Sequence, residues 1–185
     1  MTDTNTLCSE NISLTLGAAT PVTFTTSVED VSCNGGSDGV ITVTLPASND
    51  NPVYTYEIIA PIVVGPQNSN VFAGLSANTY TVQVNSGRGC FLTQAVVIGE
   101  PTVLGVSATA TDFACAANNS VNSSTITITE TGGTAAYSYS INGTNYFTTN
   151  TFDIIDTGSV QNITVYVQDA NGCIATNTVS INPLP

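Results

Sequence analysis

The chain has 185 residues, of which 42% are apolar, and thirteen acidic side chains face a single base, Arg88. This composition indicates a folded chain, and it excludes nucleic acid and anionic lipid as partners, because phosphate binding needs Lys or Arg. Thr, Val, Ile, Ser and Asn are abundant, which is typical of β-structure. No apolar run approaches the roughly 18 residues that a membrane span needs, so membrane insertion is not expected.

The five cysteines recur at two positions of a repeating unit, with spacings of 82 or 83 residues. The first position holds Cys33 and Cys115, and the second holds Cys8, Cys90 and Cys173. Flanking segments follow the same offset, which makes the chain a tandem repeat. Tandem units usually hold, space or display something, so this organisation argues against catalysis.

The repeat divides the chain into three predicted segments. Residues 1–20 match only the last strand of a unit, 21–102 form a first complete repeat, and 103–185 form a second. We therefore expect the chain to be a piece of a longer array. The strand in 1–20 needs a partner sheet, so we expect this segment to be disordered, to fold back on the first complete repeat, or to exchange strands with a second copy of the chain.

Alternating apolar and polar residues predict short β-strands along each repeat. In the first repeat the pattern covers GVITVTL (39–45), VYTYEI (53–58), TYTVQV (79–84) and FLTQAVVI (91–98). Matching segments occur in the second repeat. Strands of this length with regular turn signals predict an all-β fold of two tandem immunoglobulin-like β-sandwich repeats. The side chains expected in the two cores include Val82, Val84, Val165 and Val167.

Several of these segments together resemble the SprB repeat family, named for a very large cell-surface adhesin of gliding Bacteroidetes. They are VSCNGGSDGVITV (31–43), the YTY strand (54–56), GLSANTYTVQV (74–84), the GC pair (89–90) and the closing EP (100–101). The second repeat departs at 116–124, where AANNSVNSS replaces the NGGSDG loop. The resemblance implies export to the cell surface, usually by the type IX route, and a role in stalks, adhesion or surface movement.

The cysteines predict structural disulfides in an oxidising compartment, because the chain has no His and no CxxC for a zinc site. We predict bridges within each repeat, Cys33–Cys90 and Cys115–Cys173, which leave Cys8 unpaired. Bridges between neighbours 25 residues apart, Cys8–Cys33 and Cys90–Cys115, also fit the spacing, as do free thiols. In an immunoglobulin sandwich the end of the first strand and the last turn lie at opposite poles, which favours neither pairing.

The NGGSDG loop carries the residues that a metal site would use. Asp38, with Asp30 and Glu29 nearby, would offer oxygen ligands to Ca²⁺. The competing interpretation is a Gly-rich turn in which Asp38 caps its own backbone, and it is preferred, so no metal or cofactor is predicted. Asp112 and Asp169 are interpreted as turn residues.

Four tyrosines are candidates for a sugar-stacking surface: Tyr54, Tyr56, Tyr137 and Tyr139. Their alternation within strands favours core packing instead, with the hydroxyls at the rim. Catalytic residues are not predicted, since no Ser–His–Asp set or phosphate loop is present.

These observations predict a non-enzymatic stalk or spacer segment of a large secreted cell-surface adhesin or filament, which would space and display a binding region. The alternative is a carbohydrate-binding accessory module of a secreted polysaccharide-degrading protein. Expected partners are neighbouring repeats of the array and a surface polysaccharide.

Overall fold

The computed structural model describes residues 21–47, 53–115 and 120–184. The secondary-structure elements within these ranges are all β-strands. The described part of the chain contains no helix long and apolar enough to cross a membrane. The predicted strand exchange through residues 1–20 and the prediction for Cys8 both lie outside the described residues.

The first repeat is a sandwich of two antiparallel sheets. One sheet has the order β1-β2-β5 and the other β4-β3-β6-β7. This strand order is that of an immunoglobulin-like fold, as the sequence predicts. The strands are β1 Thr25–Glu29, β2 Gly39–Thr44, β3 Tyr54–Ala60, β4 Val64–Gln67, β5 Val71–Leu75, β6 Asn78–Ser86 and β7 Phe91–Ile98.

Among its described residues, the second repeat has a similar arrangement, without a counterpart of β4 and with one additional ladder. Its sheets are β13-β11-β8 and β12-β14-β15, and a two-stranded ladder β9-β10 lies where the sequence departs from the first repeat. All pairs are antiparallel. The strands are β8 Gly105–Ala110, β9 Ala114–Cys115, β10 Val121–Asn122, β11 Ser124–Thr131, β12 Ser138–Ser140, β13 Thr151–Ile154, β14 Gln161–Gln168 and β15 Ile174–Ile181.

The buried apolar side chains form two separate clusters, one in each repeat. Alternation decides which residues enter them, because successive side chains of a strand point to opposite faces. Val82 and Val84 on β6, and Val165 and Val167 on β14, are all 0% exposed. The predicted burial of these four valines is therefore confirmed.

Tyr80, near the start of β6, forms a hydrogen bond within the first repeat that was not predicted from the sequence. Its ring is buried, and its hydroxyl donates a hydrogen bond of 2.8 Å to the carbonyl oxygen of Ser76. This is the tyrosine corner of immunoglobulin-like sandwiches, in which a Tyr near the start of the next-to-last strand bonds to backbone a few residues upstream. Ile163 has the equivalent register on β14, so the second repeat lacks this bond.

The direction of the strands places specific loops at each pole of the sandwich. We call the end that holds loop 30–38 the lower pole, because β1 ends there and β7 ends beside it, with the amide of Val31 donating to the carbonyl of Gly99 at 3.1 Å. The hairpin between β6 and β7 lies at the opposite, upper pole. There the amide of Gly87 donates to the carbonyl of Val53 at 2.8 Å.

Candidate functional site: the joint between the repeats

The hairpin that joins β14 to β15 forms the upper pole of the second repeat, and Asp169 organises it. The side chain of Asp169 is 5% exposed. Its Oδ1 accepts the amides of Asn171 at 3.0 Å and Cys173 at 2.9 Å, and its Oδ2 accepts the amide of Thr134 at 3.0 Å. Asp169 is thus a turn residue, as predicted, and it fixes the position from which Cys173 projects.

The lower pole of the first repeat is held by two carboxylates that bind main-chain amides. Oδ1 of Asp30 accepts the amide of Gly99 at 2.7 Å, and Oδ1 of Asp38 accepts the amide of Ser32 at 3.0 Å. The hydrogen bonds from Ser32 lower the pKa of Asp38. Asp38 therefore caps the loop, which is the preferred interpretation of the sequence.

The calcium interpretation of this loop gains no support. Asp30 and Asp38 each direct a carboxylate oxygen at a different backbone amide. In the ranges that the structure describes, no three His, Cys, Asp or Glu side chains are grouped closely enough to hold a metal ion.

The linker after β7 is hydrogen-bonded to the same loop. The amide of Gly35 donates to Oε2 of Glu100 at 2.7 Å, and Nδ2 of Asn34 donates to the carbonyl of Pro101 at 3.0 Å. Gly35 has φ of +73°, a conformation that favours glycine and lets its amide face the linker. The lower pole of the first repeat therefore fixes the direction in which the chain enters the second.

A disulfide between Cys33 and Cys173 crosses the joint. Their Cα atoms are 5.8 Å apart and their sequence separation is 140 residues. Beside the bridge, Nδ2 of Asn171 donates a hydrogen bond of 2.8 Å to the carbonyl of Ser32. The lower pole of the first repeat and the upper pole of the second are thus joined covalently as well as through the linker.

The predicted pairing within each repeat, Cys33–Cys90 and Cys115–Cys173, is wrong. The structure bonds Cys33 to Cys173, and it leaves Cys90 and Cys115 exposed and unbridged. The physical reason is the polarity of the sandwich: Cys33 lies at the lower pole of its repeat and Cys90 at the upper pole. The alternative bridge Cys90–Cys115 fails as well, because these residues lie at the two far ends of the pair of repeats.

The four tyrosines pack into the two cores and do not form an exposed platform. Tyr56 and Tyr139 are buried, whereas Tyr54 and Tyr137 are half-buried. The hydroxyl of Tyr139 donates to Oε2 of Glu130 at 2.7 Å, and burial together with this bond raises the pKa of Tyr139 to about 12. Core packing is confirmed, and the feature that would favour a carbohydrate-binding module is not seen.

Comparison with known families identifies an SprB repeat over residues 25–61. The matched segment contains loop 30–38 and the YTY strand, so the match confirms the resemblance to an SprB-type repeat over 25–61, as the sequence motifs indicate. No curated protein matches the chain.

Solved structures resemble the chain only at low similarity. The fibronectin(III)-like modules of CbhA from Clostridium thermocellum share 14% identity, with 88% of this chain and 93% of that chain covered and a TM-score of 0.37. The C-terminal 282-residue fragment of intimin, in complex with the intimin-binding domain of its translocated receptor Tir, shares 11% identity, with 89% of this chain covered and a TM-score of 0.40. The chain spans 64% of the length of that fragment. The assignment of the fold rests on the strand order described above.

Proposed function

We propose that this chain is a non-catalytic, load-bearing spacer segment of a larger extracellular cell-surface protein, an adhesin or filament. Its tandem repeats would hold a binding region away from the cell. The observation that supports this function is the Cys33–Cys173 bridge, because the segment that it closes contains most of the core of each repeat.

The bridge gives tension a covalent route around the folded units. Force applied to the two ends enters at Cys33, crosses the sulfur–sulfur bond and leaves at Cys173. The segment between these cysteines, with a sequence separation of 140 residues, carries no load. Fully extended, this segment would be about 480 Å long, and that length cannot be pulled out while the bridge is intact. A spacer built in this way keeps its length under pull even if its sandwiches open.

Composition and chemistry agree with an extracellular site. Structural disulfides persist in oxidising environments and are rare in the cytosol. The formal charge of −12 keeps such segments soluble and mutually repelling. The SprB-type repeat at 25–61 adds the association of that family with the surface of gliding Bacteroidetes.

Single-molecule pulling between the two termini tests the proposal. Oxidised chain should extend only through residues outside the bridge, which include β1 and β15, so it should show no release as long as a whole repeat. The variant Cys33→Ser should instead show two releases of roughly 270 Å each, the contour length of about 80 residues.

The variant Cys90→Ser provides the matched control, because Cys90 is exposed and unbridged, and it should behave as the parent chain does. Two full releases from the oxidised parent would mean that the bridge does not shield the repeats, and the load-bearing function would be rejected.

A further inference from the structure

The hairpins that present Cys90 and Cys173 have the same geometry. In each, the amide that opens the turn donates to the carbonyl of the cysteine, at 2.8 Å for Cys90 and 3.0 Å for Cys173. Each turn also has a glycine just before the cysteine, Gly89 with φ of +83° and Gly172 with φ of +84°. Cys90 is therefore presented at the upper pole of the first repeat as Cys173 is at the upper pole of the second.

Cys115 occupies the position in the second repeat that Cys33 occupies in the first, and it lies in the β9–β10 ladder whereas Cys33 lies in a loop. Each follows the first strand of its sandwich and lies two positions after a buried side chain, Val31 before Cys33 and Phe113 before Cys115. Cys115 is therefore at the lower pole. The pair of repeats thus ends in an unbridged hairpin cysteine above and an unbridged cysteine on β9 below.

We propose that Cys115 and Cys90 are the two halves of one further bridge, formed between separate units: Cys115 of one copy of this chain bonds to Cys90 of a second copy. The inference rests on the proposed function, in which the same bond would join successive repeats of a longer array. Because Cys115 lies between Cys33 and Cys173 in sequence, successive bridges would overlap, and every residue of the array interior would lie inside at least one covalent loop.

The bond forms by thiol–disulfide exchange with a low-molecular-weight disulfide such as oxidised glutathione. The thiolate of Cys115 attacks one glutathione sulfur, which makes a mixed disulfide and releases one glutathione thiolate. The thiolate of Cys90 then attacks the sulfur of Cys115 and releases the second glutathione. Two protein thiols are oxidised, and one glutathione disulfide is reduced to two thiols. Both cysteines are exposed, as this exchange requires.

A polar contact is available to orient the two ends. At the existing joint, Nδ2 of Asn171 donates to the main-chain carbonyl of Ser32. Arg88 stands at the hairpin position of Asn171, is exposed, and carries several N–H donors. The aligned residue is Ala114, which keeps the main-chain carbonyl when Ser is replaced by Ala and which lies in the β9–β10 ladder.

Mixing two variants that each retain one unbridged thiol tests the proposal. Cys8→Ser with Cys90→Ser retains Cys115, and Cys8→Ser with Cys115→Ser retains Cys90. In a glutathione redox buffer, the mixture should form a disulfide-linked dimer roughly tenfold faster than either variant alone. The reason is that one hydrogen bond from Arg88 across the new joint would favour the mixed pair by about that factor. Non-reducing electrophoresis and intact mass give the rates.

Two results would overturn the inference: like-with-like dimers forming as fast as the mixed dimer, or glutathione adducts without a mixed dimer. Arg88→Ala should slow the mixed reaction and leave the like reactions unchanged. Intact mass should show the Cys33–Cys173 bridge in both variants throughout. The pulling experiment uses single chains, so its result does not depend on this association. Full release of both repeats from the oxidised chain would reject the spacer function, whatever the mixing experiment shows.

Discussion

Removing the bridge across the joint should destabilise both sandwiches. In the variant Cys33→Ser, no disulfide holds an unfolded repeat to its folded neighbour, so the linker is the remaining connection. While the bridge is present, whichever repeat unfolds first remains closed in a loop of about 70 residues, for which chain entropy gives about 4 kcal/mol. Measured effects of native disulfides are often smaller, so we expect a loss of about 2–4 kcal/mol in the free energy of unfolding.

Urea unfolding followed by far-UV circular dichroism measures this loss, since the chain has no Trp for fluorescence. With a slope of about 1 kcal/mol per molar urea, the midpoint should fall by about 2–4 M. Cys90→Ser serves as the control and should leave the midpoint unchanged, because that side chain is exposed and unbridged. Equal midpoints for Cys33→Ser and the parent chain would refute the reasoning.

Three further predictions follow from the second repeat. Val167→Ala should lower the free energy of unfolding by about 1–3 kcal/mol, because it opens a cavity at a fully buried position. A change near zero in a urea titration would mean that this face of the strand is not buried. Asp169→Ala should cost about 2–4 kcal/mol, because it leaves the three amides that its carboxylate accepts without a partner, and a neutral effect in the same assay would contradict its role in the hairpin. The raised pKa of Tyr139 predicts stability that is complete below pH 10 and is lost as the pH rises from about 10 to about 12, because the unfolded state releases the proton first. Tyr139→Phe should reduce this alkaline loss, and an unchanged pH profile would count against it.

The burial pattern of the strands could be predicted because it depends on local periodicity alone. Val82 and Val84 alternate with polar residues on β6, and a period of two assigns them to one face whatever the neighbouring strands are. The same reasoning placed Tyr56 and Tyr139 in the cores.

The disulfide could not be predicted from spacing, since a repeat offset fits bonds within a unit and bonds between units equally well. What decides the pairing is the pole at which each cysteine lies, and that depends on strand order. The argument that Cys33 and Cys90 occupy opposite poles was available from the fold class. Combined with the short linker 100–102, it would have directed Cys33 to the upper pole of the next repeat.

The tyrosine corner and the cap formed by Asp38 are contacts between residues close in sequence, whereas the role of Asp30 depends on a distant segment. A usable signal existed for Tyr80, which begins the next-to-last strand just after the turn that contains Ser76. For Asp30 there was none, because its amide partner, Gly99, is 69 residues away in sequence.

Disulfide mapping tests the central claim, that the two repeats are cross-linked head to tail, most directly. Dilute, unreduced protein is alkylated and digested with pepsin at low pH, where disulfides do not exchange, and the linked peptides are identified by mass spectrometry. The account predicts a peptide pair joined through Cys33 and Cys173, with alkylated Cys90 and Cys115. A pair joining Cys33 to Cys90, or Cys115 to Cys173, would contradict it.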